Sequence, residues 1–486
     1  MMDNKNIVSS LIYKFAERLA VKGAGLIIGI VLARLLLPEE FGQVAIITIF
    51  INLANSIIQT GFNSALVQQK EVDEKDYSTV FYITTALSAA IVAILYVTAP
   101  YIAIYYESPS LVWPIRAYSF SLFFGAFNSI QVAKMQREMR FKPMMYTSFI
   151  ATILSGVLGV ALAYMNFGIW ALVVYGCSNI VFSCITMLFV ANWFPKLVFS
   201  LKRAQILFSF GWKMLVSGIL CSVYNDIRSL IIGKRYSMDD LAYYNRGQQY
   251  PEVISTTIDS AIQSVMFPAM AKSQNDTAQM RAMIKRSISL GAFVITPVMI
   301  GLAAVAHSLM ILLLTEKWLP SVIFMQLICI AGITYTFMSS SLIAIKALGR
   351  SDIYMKLEIV RRIVMLVILL IAIFVFDSVL AIAISYVVSS FLDMFIAAVP
   401  LKKLLDYDGF KQVRDNWKTL VASFAMGAAV YFIGFLPIHK IALLFIQIIA
   451  GVLIYLLLCV LLRIESFYYV FNLLKKIKRF ARTKNV

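Results

Sequence analysis

Residues 41–69 read FGQVAIITIFINLANSIIQTGFNSALVQQ, a run apolar enough to cross a bilayer that nevertheless carries Asn52, Asn55, Ser56, Gln59 and Asn63. With about 3.6 residues per helical turn, these five side chains fall within an arc of about 100° on one face. A polar stripe on a membrane helix has to face protein or a water-filled cavity, because hydrocarbon offers it no hydrogen-bond partner. Two hundred positions further on, Glu252, Ser255, Thr256, Asp259 and Gln263 repeat the stripe at the same offsets within 246–272. The two helices are therefore expected to be walls of one central cavity.

Composition sets the class. The chain has 486 residues, 61% hydrophobic and 14% charged, with mean hydropathy +0.83. That balance excludes a water-soluble domain and fits a polytopic membrane protein. The net charge of +18 does not point to nucleic acid, because the Lys and Arg residues sit mostly in short links between apolar runs, where they set membrane orientation. The expected partner is the bilayer. Cys177, Cys184, Cys221, Cys329 and Cys459 lie in apolar runs without metal-ligand spacing, so they are expected to pack as small hydrophobes. No metal or cofactor is expected. His307 and His439 have no partner at catalytic spacing. There is no Gly-Lys-Ser/Thr phosphate loop, so this chain is not expected to hydrolyse ATP. The polar opening from Met1 to Lys5 lacks the pattern of a cleaved signal, and helix 1 is expected to be retained.

Taking about 17 to 25 apolar residues per span, the sequence predicts an all-α polytopic membrane protein of fourteen helices. Six lie at 12–37, 41–67, 78–104, 111–138, 145–165 and 168–191. Six more lie at 207–234, 246–272, 287–314, 320–347, 354–376 and 378–401, followed by 417–436 and 440–462. Alternate links are rich in basic residues: Lys134, Arg137, Arg140 and Lys142; Lys196, Lys202 and Arg203; Lys272, Arg281, Lys285 and Arg286; Lys402, Lys403, Lys411 and Arg414; and the tail Lys475 to Lys484. The side they share is expected to be cytoplasmic, with both termini on it. The tail itself reads as an anchor for the last helix.

A polar link at Asn192 to Leu207 breaks the chain, and the sequence repeats around it. Arg34-Leu-Leu-Leu-Pro-Glu-Glu-Phe-Gly42 corresponds to Lys234-Arg-Tyr-Ser-Met-Asp-Asp-Leu-Ala242, and Phe167-Gly-Ile-Trp-Ala171 resembles Phe376-Asp-Ser-Val-Leu-Ala381. Six helices per half in one orientation make a parallel repeat about an axis along the membrane normal, and transporters built this way place their substrate path where the halves meet. The expected organisation is an N-terminal six-helix lobe at 1–198, a second at 199–403, and helices 13 and 14 with the basic tail at 404–486.

Charges inside the spans narrow the site, since an Asp, Lys or Arg at a helix centre costs about 2.5 to 3.5 kcal/mol on insertion scales. Lys14, Glu17 and Arg18 lie within snorkelling distance of the cytoplasmic face, while Lys22 lies deeper. Asp226 and Arg228 are two apart and point to different sides of their helix. Asp259 sits near the middle of the second stripe. An interhelical ion pair is the structural alternative for Asp226, Arg228 and Asp259. Asn128 and Gln131 are weaker candidates, and Glu358, Arg361 and Arg362 read as a cluster at the membrane interface.

Several motifs in order carry a resemblance. Ala33-Arg-Leu-Leu-Leu-Pro-Glu-Glu-Phe-Gly42, Thr60-Gly-Phe-Asn-Ser-Ala-Leu-Val-Gln-Gln69, Asp226 leading to Leu230-Ile-Ile-Gly-Lys234, Ala242-Tyr-Tyr-Asn-Arg246 and Met266-Phe-Pro-Ala-Met270 resemble the Wzx-type polysaccharide exporters. More narrowly, the chain is similar to the colanic-acid-exporter branch of the multidrug/oligosaccharidyl-lipid/polysaccharide superfamily, over helices 1 to 12. The resemblance implies a bacterial inner-membrane flippase, not an enzyme, that moves undecaprenyl-diphosphate-linked oligosaccharide to the periplasmic leaflet by alternating access, possible partners being the polysaccharide polymerase machinery. Asn and Gln amides suit sugar hydroxyls, and Lys22 or Arg228 suits the diphosphate. The expected cavity residues are Lys22, Asn52, Asn55, Gln59, Asn63, Asp226, Arg228, Asp259 and Gln263. A multidrug antiporter of the same superfamily is the alternative, with a lipid II flippase as a third reading. A polymerase or ligase would need a large outer loop, and the outer links here are short.

Overall fold

The computed structural model describes residues 4–69 and 72–472, apart from the side chains of 4–19, 60–62, 64, 65, 67, 68, 206, 210 and 213. The basic tail from Lys475 and the side chains of Lys14, Glu17 and Arg18 lie outside the described residues. Within them the fold is all-α. The helices are α1 (Asn4–Leu35), α2 (Pro38–Gln68), α3 (Glu74–Tyr105), α4 (Val112–Ser119), α5 (Ser121–Arg137), α6 (Phe141–Tyr164), α7 (Ile169–Ala191) and α8 (Leu201–Arg235). They continue as α9 (Met238–Lys272), α10 (Thr277–Leu314), α11 (Ser321–Ala347), α12 (Ser351–Ile371), α13 (Val379–Leu405), α14 (Gly409–Ile433) and α15 (Lys440–Leu461). Ten of the described helices are long and apolar enough to cross a membrane.

Every expected segment is helical, and the differences lie at the ends and at one break. α8, α9, α10 and α14 begin about six to ten residues before the apolar runs do, because an amphipathic helix continues past the hydrocarbon boundary once its backbone is hydrogen-bonded. The segment 111–138 is split at Phe120 into α4 and α5. Ser119 Oγ donates to the Arg116 carbonyl and Ser121 Oγ to the Tyr118 carbonyl, each at 2.7 Å. Hydroxyls that bond back to these carbonyls compete with the helix's own amides.

The exposed surface is that of a protein dissolved in lipid. α15 exposes Phe445, Ile449, Leu453 and Leu457 while it buries Gln447, whose Nε2 donates to the Val430 carbonyl at 3.1 Å. A helix with its amide inside and its large apolar residues outside is stable only where the surroundings are hydrocarbon.

The packing forms two compact units, Met1–Ala242 and Tyr243–Val486. Each contains the same local arrangement: α3 packs on α5, α5 on α7 and α6 on α7 in the first, as α10 packs on α11, α11 on α13 and α12 on α13 in the second. The corner sequences repeat in structure too. Leu37 N donates to Glu40 Oε2 at 2.8 Å before α2, and Ser237 N donates to Asp240 Oδ2 at 3.3 Å before α9. Two carboxylates two hundred positions apart thus cap equivalent helix starts. The repeat and the compact units divide the chain at different points, because α8 packs along α2 and against α3 and so joins the first unit. Beyond the repeat, α14 and α15 pack on α10 around Val305, Met426, Val430 and Tyr455.

Candidate functional site

In the first unit the polar stripe of α2 divides its contacts. Asn52 is exposed; Asn55, Ser56, Gln59 and Asn63 are half-buried. Gln59 Nε2 donates to Asn55 Oδ1 at 3.0 Å, one turn away. The pair faces Gly125 of α5, where an added Cβ would lie 3.1 Å from Asn55 Oδ1 and 3.5 Å from Gln59 Nε2; glycine is what lets the two amides approach the α5 backbone. Ser56 turns to α8 instead, its Oγ 2.9 Å from Ser222 Oγ.

Further amides line α5. Asn128 Nδ2 donates to Ser183 Oγ of α7 at 3.2 Å, and Gln131 is fully buried. Asn63 Oδ1, Asn128 Oδ1 and both polar atoms of Gln131 have no hydrogen-bond partner among the described residues. A buried polar group left unpaired costs about 1 to 3 kcal/mol, so dry packing alone is a poor use for these side chains. On the expected charged residues the structure is unequal. Lys22 is exposed on α1, Asp226 is half-buried, and Arg228 is only 6% exposed.

At the opposite end of the α2–α8 contact the chain's two repeated corners meet. A Cβ added at Gly42 would strike the carbonyl oxygen of Met238 and lie 2.6 Å from its carbonyl carbon. Beside this contact, Lys234 Nζ is 3.0 Å from Glu107 Oε1 in the turn after α3, and it lies 4.9 Å from the centre of the Tyr105 ring.

In the second unit Asp259 and Gln263 are buried. Gln263 Nε2 donates to Asp259 Oδ1 at 3.2 Å and to Ser340 Oγ at 3.1 Å, while Ser339 Oγ donates to Asp259 Oδ2 at 2.7 Å. Ser340 Oγ is in turn 3.0 Å from Ser287 Oγ. The network ties α9 to α11 and α10 through neutral donors. The cluster read as interfacial is also built inward: Arg361 Nη1 is 2.8 Å from Glu358 Oε1, and its Nη2 is 3.2 Å from Asp393 Oδ2 on α13. The structure thus brings Asn55 together with Gln59, and Asp259 with Gln263.

Residues 31–323 match the family described as polysaccharide biosynthesis protein. The chain belongs to that family. The teichuronic acid biosynthesis protein TuaB of Bacillus subtilis is 26% identical over 306 residues, 62% of each chain. The succinoglycan biosynthesis transport protein ExoT of Rhizobium meliloti is 26% identical over 288 residues, 59% of this chain and 58% of ExoT. The chain therefore spans about three-fifths of the length of these two relatives. Among solved structures, the lipid II flippase MurJ in an inward closed conformation superposes with a TM-score of 0.75 at 14% identity, covering 96% of this chain and 100% of its own. An inward-facing multidrug resistance MATE family transporter gives 0.59 at 15% identity, covering 80% and 98%. These likenesses are of fold.

For this member of the family, sequence reading missed the serines that complete each polar group. Ser222, Ser287, Ser339 and Ser340 are unremarkable in sequence, because a hydroxyl in a membrane helix more often bonds its own helix. Asp393 was legible as a carboxylate within a predicted span, a signal that would have found it. Replacing Asp259 by Asn is expected to preserve the network and the yield of folded protein, whereas Asp259→Leu should lower yield by stranding Ser339 and Gln263; equal yields, measured by size-exclusion chromatography, would contradict this placement.

Proposed function

We propose that the chain is a flippase that translocates undecaprenyl-diphosphate-linked oligosaccharide repeat units across the bacterial inner membrane by alternating access, for the synthesis of a surface polysaccharide. The observation that carries this reading is the amide- and hydroxyl-rich interior of helices otherwise built for lipid: Asn55, Gln59, Asn63, Asn128 and Gln131 in the first unit. Amides both donate and accept, which suits sugar hydroxyls; a path for aromatic drugs would favour an aromatic lining. Membership of the family and the names of TuaB and ExoT support a polysaccharide pathway.

In this reading Lys22 and Arg228 meet the diphosphate, while Asn52, Asn55, Gln59, Asn63, Asp226, Asp259 and Gln263 contact the glycan or shape its path. The reading takes 1–198 and 199–403 as the two lobes, with 404–486 following them. The chain acts as a carrier rather than an enzyme, and polymerase components of the pathway are its candidate partners. On these lobe bounds α2 and α8 belong to different lobes, so in this reading the contacts between them part during the transport cycle.

In this reading both termini lie in the cytoplasm, as the distribution of Lys and Arg over the links suggests. Single cysteines at Lys142 and Lys411 should resist an impermeant thiol reagent added from the periplasm; labelling there would reverse the topology. Deletion in the native strain should abolish one surface polysaccharide and leave its lipid-linked repeat accumulated on the cytoplasmic side. Unchanged polysaccharide with lost drug resistance would instead favour the multidrug antiporter.

A further inference from the structure

A pocket of about 570 Å³ opens at the Thr277 end of α10, against the last turn of α13. Arg281, Ala282 and Lys285 line it from α10, and Lys403, Leu404 and Asp406 line it from the end of α13. Arg281 and Lys285 are four residues apart and so share one helical face.

The charges are arranged with a positive excess. Asp406 accepts from Lys411 Nζ at 2.6 Å and from Arg281 Nη1 at 3.2 Å. The Lys411 hydrogen bond and charge, with help from Arg281, hold the Asp406 carboxyl below its ordinary range. Lys285 Nζ is 3.2 Å from Asp415 Oδ2. Lys403 is exposed and makes no ion pair among the described residues. Three cations therefore line the pocket against one carboxylate.

The position selects the ligand. α10 carries Arg281, Lys285 and Arg286 within 277–286 and no Asp, Glu, Lys or Arg from Ser287 to Leu314, so the pocket lies where the helix passes from water to hydrocarbon. Its walls alternate guanidinium and ammonium groups with Ala282 and Leu404. A soluble anion would use only the cations, whereas a headgroup phosphate with its glycerol backbone uses both. We propose that this pocket holds the phosphate headgroup of an anionic phospholipid. The site is separate from the polar faces assigned to transport, and it stands whatever the transported substrate is.

The test is native mass spectrometry of the full-length protein with phosphatidylglycerol and phosphatidylcholine at equal concentration, and with inorganic phosphate in a separate arm. Phosphatidylglycerol should be retained in preference to phosphatidylcholine. The double substitution Arg281→Gln/Lys403→Gln should cut that retention about tenfold, the scale of a lost charge-assisted hydrogen bond. Lys440→Gln, at an exposed cation on α15, should leave it unchanged. Equal retention of the two lipids, or undiminished phosphatidylglycerol on a folded double variant, would overturn the proposal. Displacement of the lipid by inorganic phosphate at comparable concentration would assign the pocket to a soluble anion instead. Should the double variant fail to fold, Lys403→Gln alone, which breaks no ion pair, carries the same comparison.

Discussion

Replacing Asp393 by alanine is expected to destabilise the second unit by about 3 kcal/mol or more, at the lower edge of the 3 to 5 kcal/mol typical when one member of a buried ion pair is removed. The Arg361 side chain is 10% exposed and that of Asp393 17%, so water compensates neither charge well. Arg361 would keep Glu358, 2.8 Å away on its own helix, which is why the lower edge applies. What it would lose is the bond from α12 to α13. Arg361→Met combined with Asp393→Leu removes both charges together and should recover much of the loss, since a buried pair exchanged for apolar groups of similar volume is often neutral. Thermal unfolding in nanodiscs separates these outcomes. A single variant that melts with the wild type would show that the pair contributes nothing to the fold.

Gly42→Val should disable transport more than it lowers the amount of protein. The added Cβ meets the backbone of Met238 rather than a flexible side chain, so relief requires α2 and the start of α9 to move apart. Overpacking of this kind costs about 1 to 3 kcal/mol, and each 1.4 kcal/mol shifts an equilibrium about tenfold. The conformation in which the two corners touch would become scarce. A cysteine at Ser222, introduced with Cys221 replaced by serine, should then react faster with an impermeant thiol reagent than it does in the Gly42 protein. Unaltered reactivity and unaltered transfer would mean that the corner contact plays no part in the cycle.

The all-α membrane fold was legible because membrane helices obey two strong rules, apolar length and internally satisfied backbone, and the residues announce both. Helix ends were less legible: α10 starts at Thr277 rather than near 287 because polar residues extend a helix as readily as apolar ones once it is nucleated. The split at Phe120 depended on two serine hydroxyls choosing backbone carbonyls, a choice that periodicity does not reveal. At the candidate site, the offset of two hundred between the stripes of α2 and α9 found Asn55 with Gln59 and Asp259 with Gln263, each one turn apart. It did not reveal how differently they are housed. Asn52 is exposed, whereas Asp259 is held by Ser339, and that contrast comes from neighbouring helices that a single helix's pattern cannot encode. The Glu358–Arg361 cluster looked interfacial for the same reason: its partner Asp393 lies 32 residues away on α13.

The most direct test is a reversible lock on the contact between α2 and α8. Ser56 Oγ and Ser222 Oγ are 2.9 Å apart, so cysteines at these positions, in a chain with Cys221 replaced by serine, are within reach of a disulfide. Reconstituted vesicles loaded with undecaprenyl-diphosphate-linked oligosaccharide would report transfer between leaflets. The reduced protein is expected to transfer the lipid-linked glycan, the oxidised protein to stop, and added reductant to restore transfer. Full cross-linking with undiminished transfer, or no transfer by the reduced protein, would contradict the proposal that this chain is an alternating-access flippase.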